Sequence, residues 1–190
     1  VLLQGETEQV WTPEHLLAAL EALGLSDVRV EVQGPEVPIL DGSAAPWCEE
    51  LDAAGKIEGP PLQPRVVQEV VEVRQGEGVA RLVPGEGCSV AVQVDFGGPW
   101  VGEAQVELPG RFCEEVAWAR TFAMQRDVPR LLAAGRGRGA TPDNTVLLGE
   151  SAAASPLRSP DEPVRHKLLD AVGDLALVGP IRGRMEVERG

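Results

Sequence analysis

Cysteine is scarce. Cys48, Cys88 and Cys113 are the only three in 190 residues, they are widely spaced, and no CxxC pair occurs. Neither a disulfide framework nor a thiolate metal knuckle is therefore indicated, and a reducing cytoplasm fits. Long apolar runs are absent as well, none reaching the roughly 20 residues that cross a bilayer. The opening Val1-Leu2-Leu3-Gln4-Gly5 lacks a basic stretch ahead of an apolar one and does not read as a signal peptide. It also lacks an initiating Met, so the beginning of the protein is expected upstream. Positive charge is in deficit, with 17 Lys and Arg against 30 Asp and Glu and a net charge of −13. An acidic surface repels phosphate backbones, so nucleic acid is not an expected partner.

What is present is enough apolar residue, 43% of the chain, to bury a real core in one large domain or two small ones. Thr12-Pro13-Glu14 opens a helix, with Thr12 expected as its cap, Leu16, Leu17 and Leu20 at helical spacing, and Gly24 as its stop. Val28 to Val32 alternates as a half-buried strand does, residues 35–43 read as a loop, and a short helix is expected over 44–54, closed by Gly55. The prolines of 59–64 break regular structure and mark a linker, giving units 1–62 and 63–190. Strands are expected at 66–73, 79–83, 90–96 and 105–108, and helices at 111–124 and 127–134. A Gly/Arg loop at 135–139, a strand at 146–148 and a long helix from Asp161 to Val178 complete the second unit. Strands followed by helices in each part point to an α+β architecture, not a doubly wound sheet.

Only two histidines occur, His15 and His166. His166 and Asp170 are four residues apart on an expected helix, so an imidazole and a carboxylate share one face one turn apart. With His15 as a third ligand they would make a catalytic zinc site with one open position. Glu14 beside it could accept a proton without being a ligand. An HxxxD spacing also arises by chance, and a single histidine near a helix start is more often a surface residue.

The surrounding sequence adds to this. Thr12-Pro13-Glu14-His15-Leu16-Leu17-Ala18-Ala19-Leu20 resembles the corresponding segment of the UDP-3-O-acyl-N-acetylglucosamine deacetylases of lipid A synthesis. The resemblance continues through Gly34 to Pro46, Ala119-Arg120-Thr121-Phe122, Asp143-Asn144 and Val164 to Leu175, in the family's order. It implies zinc ligated by His15, His166 and Asp170, with Glu14 as general base. Thr121 would hold the oxyanion, Phe122 and Lys167 would contact the sugar or its diphosphate, and Asp174 would orient a histidine general acid. Each has a plainer reading: Thr121 as mid-helix packing, Phe122 as core, Lys167 and Asp174 as a solvated helix face.

The resemblance further implies two similar domains, each a β-sheet with helices on one face, packed helix to helix with the site in the cleft between them. An insert at about 122–148 would form an apolar passage for the acyl chain, with Val128, Leu131, Leu132, Val146, Leu147 and Leu148 as candidates. The implied activity is hydrolysis of the N-acetyl group of a UDP-linked acylated amino sugar by a cytoplasmic zinc enzyme, expected to be a monomer. Further strands would precede Val1. Val187 to Gly190 resembles the strand leading to the general-acid histidine, expected just after Gly190, so the chain is expected to be cut short at both ends. Gly98 and Pro163 also depart from the family's pattern. The rival expectation is a non-enzymatic fragment or degenerate homologue that keeps the fold and the metal.

Overall fold

In a computed structural model describing residues 1–6 and 8–189, the order is β1 (Leu2–Gln4), β2 (Gln9–Trp11), α1 (Glu14–Ala22), α2 (Ala45–Ala54), β3 (Arg65–Val66), β4 (Val71–Gln75), β5 (Gly78–Val83), β6 (Cys88–Asp95), β7 (Val101–Leu108), α3 (Phe112–Glu115), β8 (Phe122–Met124), α4 (Val128–Ala133), β9 (Val146–Leu148), α5 (Glu162–Ala176) and β10 (Ile181–Glu188). The mixture of sheet and segregated helix is the expected α+β class. No helix among the described residues is long and apolar enough to cross a membrane.

The main sheet runs β4-β5-β10-β6-β7, with β3 alongside β10. β10 sits centrally, antiparallel to β5 and parallel to β6. Alternation explains the burial of β6: Val90, Val92 and Val94 face inward while Gln93 is exposed. Helix α5 covers that inner face with Val164, Leu168, Leu169, Val172 and Leu175, a stripe at helical spacing. Helix α1 then lies against α5. One apolar core joins Ala18, Ala19, Ala44 and Cys48 to residues of β6, β7 and α5. The expected boundary near residue 62 falls in an exposed, irregular stretch.

Several expectations need correction. Residues 28–32 form no strand: Val28 and Val30 are exposed and no neighbouring strand pairs with them. Alternation without a partner leaves backbone groups better satisfied by water. The expected helix 111–124 shrinks to the single turn of α3, and 122–124 are extended as β8, parallel to β9. Tertiary bonds override propensity there, because the Thr121 N–H donates to the Gly42 carbonyl at 2.7 Å and the Val146 N–H to the Thr121 carbonyl at 2.8 Å. The expected strand 66–73 is split into β3 and β4, while β10 begins well before 187. The strand expected over 187–190 is present as far as Glu188, and Gly190 lies outside the described residues.

At the start of α1, Thr12 does not cap the helix. Its backbone is left-handed (φ 53°) and its hydroxyl donates to Glu36 at 3.1 Å. The other end behaves as read: Gly24 (φ 68°) donates to Glu21 and Leu25 to Leu20, a Schellman closure. The approach of α1 to α5 depends on Gly173, where a Cβ would lie 2.1 Å from the Glu14 carbonyl oxygen. Gly173→Ala should therefore destabilise the chain by about 1–3 kcal/mol, the range for overpacking. Gly139→Ala, with nothing within 4 Å of the added carbon, should change stability by under about 0.5 kcal/mol. Urea denaturation of both variants checks this, and equal stabilities would contradict the close packing.

Candidate metal centre

Helix α1 contributes His15 and helix α5 contributes His166 and Asp170. Both imidazoles are buried and Asp170 is half-buried. One ligand atom from each lies within 4.8 Å of the other two. Asp170 Oδ1 is 3.4 Å from His166 Nε2 and 3.7 Å from His15 Nε2. These separations exceed the roughly 2.7–3.2 Å of an N–H···O bond. The three groups thus surround a common point without bonding to one another. The rings stand edge to face, with centroids 5.0 Å apart.

The surroundings set the protonation needed for ligation. His166 Nδ1 lies 3.0 Å from the Ala119 carbonyl. Nδ1 carries the proton and donates it there, which leaves the Nε2 lone pair facing the triad. Burial lowers the pKa of both histidines, outweighing the pull of Asp170, so each favours the neutral ligating form. Asp170 is kept below the ordinary carboxylate range: burial opposes this, but His166, Lys167 and His15 outweigh it. Two neutral imidazole nitrogens and an ionised carboxylate, with no sulfur, make a donor set that fits a divalent metal ion.

The other expected residues stand in differing relations to this triad. Lys167 Nζ donates to Asp170 Oδ2 at 3.2 Å. Lys167, Asp170 and Asp174 line a cavity of about 360 Å³ together with residues of β4, β5 and β10. Asp174 is pushed up to about 6 by partial burial and by the charges of Asp170 and Glu14. Phe122 packs edge-on to the His166 ring at 6.0 Å and to Phe96 at 5.1 Å, so its body braces a histidine. Glu14 occupies the first turn of α1. Thr121 is half-buried and lies two residues beyond the carbonyl that orients His166.

A model of the LpxC, UDP-3-O-acyl N-acetylglycosamine deacetylase, family matches residues 1–190. The chain belongs to this deacetylase family. UDP-3-O-acyl-N-acetylglucosamine deacetylases from Anaeromyxobacter dehalogenans and Myxococcus xanthus are 45% and 40% identical to it over 93% of its length. The Brucella ovis deacetylase is 40% identical over 99%. The chain spans 60%, 59% and 68% of these relatives, respectively.

Several residues that shape this deacetylase-family site escaped the sequence reading. Glu162 is fully buried at the start of α5 and accepts from the Arg120 amide (3.1 Å), the Arg120 guanidinium (2.9 Å) and the Arg158 amide (2.6 Å). It ties the strand-ward turn that bears Ala119 to the helix that bears His166. Only an Arg and a Glu within otherwise apolar segments could have hinted at this. Asp41-Gly42-Ser43, within the loop expected over 35–43, forms a tight turn: Asp41 Oδ1 accepts from the Ser43 amide at 3.0 Å, and a Cβ on Gly42 would strike the Asn144 carbonyl at 1.7 Å. Asn144 itself braces the neighbouring loop, accepting from Thr141 and donating to Gly139.

The buried pair carries a pH signature. Burial alone would raise Glu162, but Arg120 and the Arg158 amide hold it below its ordinary 4.5. The unfolded chain therefore binds this proton first. The stabilisation is complete above about 4.5 and is lost as pH falls through the lower folded-state value. Glu162→Gln should cost about 3–5 kcal/mol at neutral pH, leaving Arg120 uncompensated. The gap to wild type should narrow on acidification from pH 6 to pH 3 in urea titrations; a gap that stays constant would contradict the assignment.

Proposed function

We propose that this chain carries the catalytic zinc centre of a UDP-3-O-acyl-N-acetylglucosamine deacetylase, which hydrolyses the N-acetyl group of UDP-3-O-(3-hydroxyacyl)-N-acetylglucosamine early in lipid A biosynthesis. The observation that carries this reading is the meeting of the chain's only two histidines with Asp170. A zinc ion held by His15, His166 and Asp170 would supply Lewis acidity to an amide carbonyl and to water.

The chain's own groups would do the rest. Glu14, next to a ligand in sequence but turned away by about 100° of helix, accepts the proton of the attacking water. The Thr121 hydroxyl donates to the oxyanion, and Lys167 and Phe122 position the sugar or its diphosphate. Asp174 orients the proton donor for the leaving amine; its carboxyl, pushed up to about 6, has the affinity for a donor hydrogen that this role needs. Helices α1 and α5 are read as the facing helices of two domains, 1–62 and 63–190. The passage for the acyl chain is read as the cavity of about 380 Å³ lined by Val128, Leu131, Leu132 and Leu147. Val146 and Leu148, by contrast, are fully buried core. We read the enzyme as a cytoplasmic monomer.

Two variants test the reading. His166→Ala should abolish stoichiometric zinc by elemental analysis, and full zinc content in that variant would remove the site. In a chain extended beyond Gly190 to include the expected histidine, Glu14→Gln should retain zinc and lower the deacetylation rate by about 10²–10⁴-fold, the range for a positioned general base. If Glu14 merely favours the helix start, the rate would be unchanged and stability would fall by about 0.3–1 kcal/mol. That outcome would favour a metal-holding homologue without chemistry.

A further inference from the structure

Two of the three cysteines, distant in sequence, meet in the fold. Cys48 on α2 and Cys113 on α3 are 65 residues apart, yet their sulfurs lie 2.8 Å from each other. A bonded pair sits at about 2.05 Å, so little movement separates this dithiol from a covalent link. The backbones on either side are already tied together. The Ala44 amide donates to the Ala117 carbonyl at 2.9 Å, and the Thr121 amide to the Gly42 carbonyl at 2.7 Å. Cys48 is buried in the main core while Cys113 is half-exposed at its edge. Cys88 stands apart at the start of β6, within the sheet.

We propose that Cys48 and Cys113 form a dithiol modification site, which low-molecular-weight organic disulfides oxidise to a reversible intrachain disulfide. The site is independent of the metal triad and of the deacetylase reading. The accessible Cys113 reacts first: its thiolate attacks one sulfur of the reagent, breaks that S–S bond and expels one thiolate. Cys48 then gives its proton to water and attacks Cys113 Sγ in the mixed disulfide, expelling the second thiolate. Both expelled thiolates take up protons. In sum, the protein loses two S–H protons and two electrons and gains one S–S bond, while the reagent takes up two protons and two electrons and becomes two thiols. Burial and the adjacent Cys113 push the Cys48 thiol well above its usual range, so the second step is the slow one and quickens as pH rises.

The product would join the segment following the Asp41 turn to the one leading into Ala119 and Thr121. Closing a loop of this length restricts the unfolded chain, so the oxidised protein should resist heat better than the reduced one.

The test uses the folded chain and glutathione disulfide. After exposure and quenching with iodoacetamide, the intact mass should show loss of two hydrogens and alkylation of one cysteine. Peptide mapping should join the Cys48 and Cys113 peptides and place the alkyl group on Cys88. The melting temperature should rise by about 5–15 °C and return on adding dithiothreitol. Cys88→Ser should form the same intrachain link with no cysteine left to alkylate, and Cys113→Ser should form no intrachain link. A bridge containing Cys88, a link between two chains, or three alkylated cysteines after prolonged exposure would each overturn the proposal.

Discussion

The contact between α1 and α5 is the constraint on which the site rests. Each helix carries part of the triad, and neither can assemble it alone: His15 is on one, His166 and Asp170 on the other. The two helices meet at a close backbone contact near the triad. Gly173 supplies that closeness, because the Glu14 carbonyl occupies the space a Cβ would need. The same contact sets Glu14 near the Asp170–Asp174 face, where its charge helps push Asp174 up. Packing, metal geometry and local electrostatics therefore share one origin.

A second set of bonds fixes what the helices alone leave free. His166 would rotate without the Ala119 carbonyl, and that carbonyl is placed by a turn whose next residue, Arg120, is locked to Glu162. An ion pair taken from water gains stability only when geometry and extra hydrogen bonds are good. Here Arg120 also reaches the Pro156 carbonyl and Glu162 also accepts from the Arg158 amide. Acidic groups crowd the corner around the triad. Asp170 and Asp41 both act on His15, and Asp170 and Glu14 act on Asp174, so a bound cation would relieve their mutual repulsion.

Much of this was legible in the sequence because it is local. The α5 stripe and the His166–Asp170 spacing are both read from helical periodicity, and Gly24 and Gly55 mark helix ends by chemistry that acts within one turn. The strands β5 and β6 follow from alternation, whereas only the second half of β7 does, its start at Val101 lying four residues before the expected one. What was illegible is tertiary. Residues 111–124 carry helical periodicity, yet hydrogen bonds to Gly42, Val146 and Glu162, far away in the chain, straighten their second half. Val28 to Val32 alternates but meets no partner strand. Gly173 reads as an ordinary weak spot in a helix until its neighbour is known. The Ala119 carbonyl is a backbone atom that no side-chain motif reveals, while the meeting of His15 with the α5 pair came from the resemblance and from having only two histidines.

A metal held by His15, His166 and Asp170 would have only nitrogen and oxygen ligands from this chain, drawn from two helices. X-ray absorption at the zinc edge, on the chain loaded with one equivalent of zinc, tests it most directly. The expected spectrum shows only light scatterers at about 2.0–2.2 Å, with the outer-shell signature of two imidazole rings. A sulfur shell near 2.3 Å, which would place the metal on the cysteines, or a spectrum with no imidazole scattering, would contradict it.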